Sequence, residues 1–161
     1  MNRFLGVGAI LGGLLQIFVS FVRAASDVDL LETLVVMAEL GLLLGLLGMF
    51  MMYRDRISTL GSVGFVLAFL GLSFIAGPDS TLYGFGAFEI GAPVIAIGLI
   101  LFAAAQIFIS GHPKLAPVTV LAGVGALILH QTVFTANLVQ IIGAALVGVG
   151  FVFYGAFLVK Q

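Results

Sequence analysis

Among the polar residues within the long apolar stretches of this chain, four are candidates for chemistry, Glu39, Glu89, His130 and Gln140, while Gln16 and Gln106 read as interhelical hydrogen-bonding groups. A charged residue at the middle of a bilayer-spanning helix costs about 2.5–3.5 kcal/mol on insertion scales. Such residues therefore face a bundle interior, pair with one another or hold a proton. Two neighbouring carboxylates would drive their proton affinities apart, so that one stays protonated near neutral pH. On this reading Glu39 and Glu89 form a proton or cation site, with His130 as a relay and Gln140 as a neutral hydrogen-bonding partner. The plainer reading makes them interfacial or interhelical hydrogen-bonding groups.

Pro93 adds to the case for Glu89. Proline has no N–H, so the carbonyl four residues earlier loses its helical partner, and that carbonyl belongs to Glu89. A carboxylate, a freed carbonyl and Gly91 at one place can form an oxygen-lined cation niche, as in discontinuous transporter helices. An ordinary proline kink accounts for the same residues. One His and two Glu are also suitable ligand types for zinc or iron. They fall on three separate segments with no spacing motif, so no metal site is assigned and no cofactor is implied. His112 stands in a Gly-His-Pro-Lys turn and reads as a solvated residue.

The elements that must position these residues follow from composition. Of 161 residues, 62% are hydrophobic and 8% charged, with a mean hydropathy of +1.32. A soluble domain carries roughly 25% charged residues, so this chain cannot cover a water-facing surface. A bilayer core about 30 Å thick needs about 20 apolar residues per helix. The polar breaks mark six such segments, at residues 4–22, 30–53, 59–76, 83–110, 117–134 and 138–159. Continuous apolar runs, without period-two alternation, exclude a membrane barrel. The expected fold is an all-α integral membrane protein, a single compact bundle of about six transmembrane helices. The first segment is read as a retained helix rather than a cleaved leader, because it is long and lacks a clear small-residue cleavage site.

With six spans, Arg3, Arg54, Arg56, Lys114 and Lys160 fall on one side, leaving only Arg23 on the other. The positive-inside rule then puts both termini in the cytoplasm, most simply at a cell (inner) membrane. Glu39 precedes Tyr53 by 14 residues, which is about 21 Å of helix and leaves it about 9 Å below the outer boundary of the core. Tyr53, Tyr83 and Tyr154 are the candidates, with Phe, for an aromatic belt in a chain without Trp.

Two patterns concern packing. Leu5-Gly6, Leu60-Gly61 and Leu115-Ala116 recur at intervals of 55, and Glu39-x-Gly41-x6-Gly48 matches Glu89-x-Gly91-x6-Gly98. These suggest three helical hairpins. Small residues four apart, Gly8 and Gly12, Gly41 and Gly45, Gly64 and Ala68, Ala144 and Gly148, let membrane helices approach closely. In size, span count and terminus placement the chain resembles the substrate-binding components of energy-coupling-factor transporters, a likeness of architecture that carries over no residue roles.

The net charge of −1 excludes a nucleic-acid surface. There is no Cys, and no nucleophile elbow, zincin or phosphate-loop motif. The expectation is a non-enzymatic subunit or scaffold, held in the lipid bilayer with other membrane subunits or further copies of itself. A carrier using Glu39 and Glu89 is the second reading and a Glu/His metalloenzyme the third.

Overall fold

The computed structural model describes residues 1–22, 29–75, 87–132 and 137–161, and these are all helix and short turn, with no strand among them. Six helices follow in order: α1 Asn2–Val22, α2 Asp29–Tyr53, α3 Thr59–Ile75, α4 Ala87–Ile107, α5 Leu115–Thr132 and α6 Asn137–Val159. Five are long and apolar enough to cross a membrane. The exception, α3, has 17 residues, about 26 Å at 1.5 Å per residue. The Gly77-Pro78-Asp79-Ser80 turn, Tyr83 and Arg23 lie outside the described residues.

The helix boundaries have local causes. The Ser58 hydroxyl accepts the Gly61 N–H at 3.2 Å and so caps the start of α3. Helix α4 ends at Ile107, three residues short of the Ser110 expected from hydropathy. Turn bonds Ile109 N–H to Gln106 C=O and His112 N–H to Ile109 C=O replace the helical ladder there. Gly111 then takes a left-handed φ of 78°, which a residue without Cβ adopts at no steric cost. The Lys114 ammonium donates to the carbonyls of Ile107 and Ile109 past the end of the helix, a favourable place for a cation. Helix α5 begins at Leu115, before the expected Pro117, because proline in a first turn gives up an N–H that has no helical partner anyway.

Each helix runs antiparallel to its sequence neighbour and packs beside it, and α6 returns to close against α1. The interior holds Leu42, Leu46, Met49, Phe102, Val120, Phe151 and Leu158. Outward faces carry large apolar side chains, among them Phe4, Leu11 and Phe18 on α1, Leu70 and Phe74 on α3, and Ile97 on α4. Contact faces carry small ones: the buried set of α1 includes Gly6, Ala9, Gly12 and Gly13. Small inside and large outside inverts the soluble pattern. It suits helices that associate by close packing rather than by hiding apolar surface from water.

Glycines seven residues apart build the seams. On α1 and α6, Gly6 lies against Gly155 and Gly13 against Gly148; on α3 and α4, Gly64 lies against Gly98 and Gly71 against Gly91. On α1 and α2, Gly12 meets Gly41 and Leu5 meets Gly48; on α5 and α6, Gly123 meets Gly143. A seven-residue step returns to nearly the same helix face, so two such glycines give a straight, backbone-deep contact line. Among the glycines expected to pack, Gly8 abuts Leu44, and Gly45 abuts Ala9 and Phe151. Ala144 is half-buried.

Candidate functional site

The four polar residues singled out by sequence are not drawn into one place. Glu39 is buried, 8% exposed. Glu89 is exposed in the first turn of α4, where the positive end of the helix dipole favours a carboxylate. Gln140 is exposed near the start of α6, and His130 is half-buried in the last turn of α5. Helix α2 packs on α1, with α3 and α6 as lesser neighbours, whereas α4 packs on α3 and α5. Glu39 and Glu89 therefore stand on helices that are not packed neighbours, one buried and the other exposed. Among the described residues no three His, Asp or Glu side chains group to hold a metal ion.

The surroundings of Pro93 are also plain. Its ring is exposed, on the outside of α4. The missing side chain of Gly91 lets Ile75 and the backbone of Gly71 come close. The Gly91–Gly98 pair that made the two Glu-x-Gly-x6-Gly strings look alike has its cause in helix packing: Gly41 and Gly48 on α2 do the same.

A polar cluster among the described residues lies at the other end of the bundle, where the sequence suggested only solvent. His112, read as a solvated turn residue, is 4% exposed. The α4–α5 turn folds it back beneath the helix ends. Its Nδ1 lies 3.0 Å from the Tyr53 hydroxyl, which donates when the imidazole proton is on Nε2 and accepts when it is on Nδ1. The Tyr53 ring meets the imidazole edge-on at 4.8 Å, Phe157 meets it edge-on at 5.8 Å, and Tyr154 stacks on it at 6.3 Å. Tyr53 and Tyr154 are thus core residues, 5% and 1% exposed, and not the aromatic belt expected of them. Burial pushes His112 down to about 4, with the nearby Lys114 charge acting in the same direction. It is neutral at ordinary pH.

Gln106, in the last turn of α4, is fully buried at the same end. Its two amide atoms, His112 Nε2 and the Tyr154 hydroxyl have no hydrogen-bond partner among the described residues. Buried polar atoms of this kind are normally satisfied by ordered water. Outside this cluster opens a pocket of about 420 Å³, lined by Tyr53, Asp55, Arg56, Ser110, Gly111, Phe157 and other residues of the α2 and α6 ends.

The His112–Tyr53 contact joins the α4–α5 turn to α2 across 59 positions of sequence. Tyr53→Phe should strip His112 of this partner while leaving the ring packing in place. Leaving a buried polar group unsatisfied costs about 1–3 kcal/mol. Thermal unfolding in detergent should show the loss, and an unchanged midpoint would mean that water already serves the imidazole.

Sequence reasoning gave Gln106 an interhelical hydrogen-bonding role but missed His112, because Gly111, Pro113 and Lys114 are ordinary turn residues. Comparison with protein-family models, with curated proteins and with solved structures finds no match for this chain.

Proposed function

We propose that the chain crosses a cell membrane six times as three helical hairpins, with both termini cytoplasmic. On this reading it serves as a small non-enzymatic subunit or scaffold of a larger membrane assembly. The observation that carries the reading is the dispersal of the candidate site: Glu39 inside the bundle, Glu89 and Gln140 on its surface, and each of their helices seamed by glycines to an odd-numbered neighbour rather than to one another. Seams in which backbones touch leave little space for a wide aqueous path between helices. The orientation is supported by Arg3, Arg54, Arg56, Lys114 and Lys160, which belong to the helix ends and turn at one end of the bundle. The hairpin reading is supported by the Gly-x6-Gly spacing on all three even helices, at Gly41 and Gly48, Gly91 and Gly98, and Gly143 and Gly150. A partner helix is best accommodated by α1, whose exposed Phe4, Val7, Leu11, Leu14, Phe18 and Phe21 repeat at alternating steps of three and four.

The second reading, a proton- or cation-coupled carrier, draws on the burial of Glu39 within an apolar bundle.

Native mass spectrometry after mild purification from the source membrane tests the proposal. A stoichiometric partner, or a defined multimer of this chain, is the expected result. A lone protomer would argue against it. The double change Glu39→Gln and Glu89→Gln should leave insertion and assembly intact. If the wild-type protein moves protons or cations in vesicles and the double variant does not, the carrier reading replaces the subunit reading.

A further inference from the structure

We propose that the pocket at the basic end of the bundle binds the headgroup of an amine-bearing phospholipid, a phosphate ester carrying a protonated amine. The proposal rests on the reading that this end meets a membrane surface. The pocket lies where the last residues of α2 and α6 meet the α4–α5 turn, which is the depth of lipid headgroups if the helices span the bilayer. Its volume of about 420 Å³ lies within the range of small-molecule sites, about 300–1,000 Å³.

The lining is amphiphilic. Met52 and Phe157 give apolar wall, and Asp55, Arg56 and Ser110 give polar wall. Both signs of charge are present, so a simple anion or a simple cation would meet repulsion as well as attraction. A zwitterion meets both with complementary charge. Arg56 forms no ion pair among the described residues, where Arg54–Asp55 at 3.5 Å is the one such pair, so its guanidinium has donors to offer a phosphate. The Ser110 hydroxyl is a further donor. Asp55 pairs with Arg54 through Oδ1 and has Oδ2 to offer the ammonium, and the C-terminal ends of α2 and α6, whose carbonyls carry partial negative charge, favour the same group. Purely basic pockets among helix ends at the cytoplasmic face take anionic headgroups, and Asp55 beside Arg56 turns this one towards a zwitterion.

The test uses the full chain in detergent, stripped of lipid and titrated with short-chain phosphatidylethanolamine, phosphatidylglycerol or diacylglycerol under native mass spectrometry. Phosphatidylethanolamine should bind one per protomer, about tenfold tighter than the other two, and Arg56→Gln and Asp55→Asn should each weaken it about fivefold. Lys160→Gln, a loss of equal charge at the same end but not in the pocket lining, should bind as wild type. Equal binding of all three lipids, or an equal loss in the Arg56 and Lys160 variants, overturns the proposal. Millimolar phosphoethanolamine then identifies the source of the headgroup. Displacement supports the site with a ligand drawn from water, and persistence of the bound lipid supports it with a ligand drawn from the bilayer. Resistance of the wild-type chain to alkaline extraction from vesicles reports the membrane reading separately.

Discussion

Gly12→Leu is expected to prevent the bundle from assembling, whereas Gly125→Leu leaves it folded. A single Cβ at Gly12 would already lie 2.6 Å from the Gly41 Cα and carbonyl carbon, and 2.7 Å from the Leu42 amide nitrogen. These are backbone atoms, so no side-chain rotation relieves the clash and α1 must move away from α2. Overpacking of a dense interior costs about 1–3 kcal/mol per modest insertion, and four added carbons against rigid backbone exceed that. At Gly125 an added Cβ meets nothing within 4 Å, and the new side chain points into open space beside α5. The change there also removes a helix-weakening glycine, a gain of up to about 1 kcal/mol. Gly12→Ala and Gly125→Ala give the same contrast in milder form. The check is the fraction of monodisperse protein on size exclusion after heating, compared across the four variants. Equal midpoints for Gly12→Ala and Gly125→Ala would mean that the α1–α2 seam is looser than described.

How much of this could be read from the sequence depends on which physics governs each part. The helices were legible, because a segment apolar enough to cross lipid must satisfy its own backbone there, and so reads as a long apolar run that can only be helix. Their number agrees with the six apolar segments that the polar breaks mark, and the differences at Ile107 and Leu115 come from turn chemistry that hydropathy does not weigh. The seams were half legible. The four-residue spacing of Gly8 and Gly12 identified a packing face, but the dominant repeat is seven, and the pairing of Gly13 with Gly148 joins helices from opposite ends of the chain. The repeated Glu-x-Gly-x6-Gly string was real as a pattern, yet its glycines share a packing role while its two carboxylates sit in different environments, one enclosed and one at a helix start. Nothing local separates these cases. The same holds for His112, whose neighbours specify a turn but not the direction in which the turn folds.

Acid should weaken this protein through His112. In the folded chain the imidazole is held near 4 by burial and by Lys114, whereas an unfolded histidine titrates at about 6.5. Between those values the unfolded chain binds the proton and the folded chain does not, so stability rises with pH across the interval. The contribution is fully present above about pH 6.5, falls as the pH drops towards 4, and levels off below that, where both states are protonated. Each tenfold difference in proton affinity is worth about 1.4 kcal/mol, so the interval amounts to about 3 kcal/mol at most. The groups packed on the imidazole are Tyr53 from α2 and Tyr154 and Phe157 from α6, none of them a carboxylate able to hold the imidazolium. His112→Phe keeps a ring between Tyr53 and Tyr154 but cannot take a proton. It should start less stable, because the Tyr53 hydroxyl loses its partner, and then lose less stability between pH 6.5 and 4.5 than wild type. The quantity to compare is the slope of the unfolding midpoint against pH, since Asp and Glu residues common to both proteins contribute alike. Parallel slopes would mean that the turn opens and hydrates His112 before the bundle unfolds, and the buried arrangement would then be only one of the states the α4–α5 turn occupies.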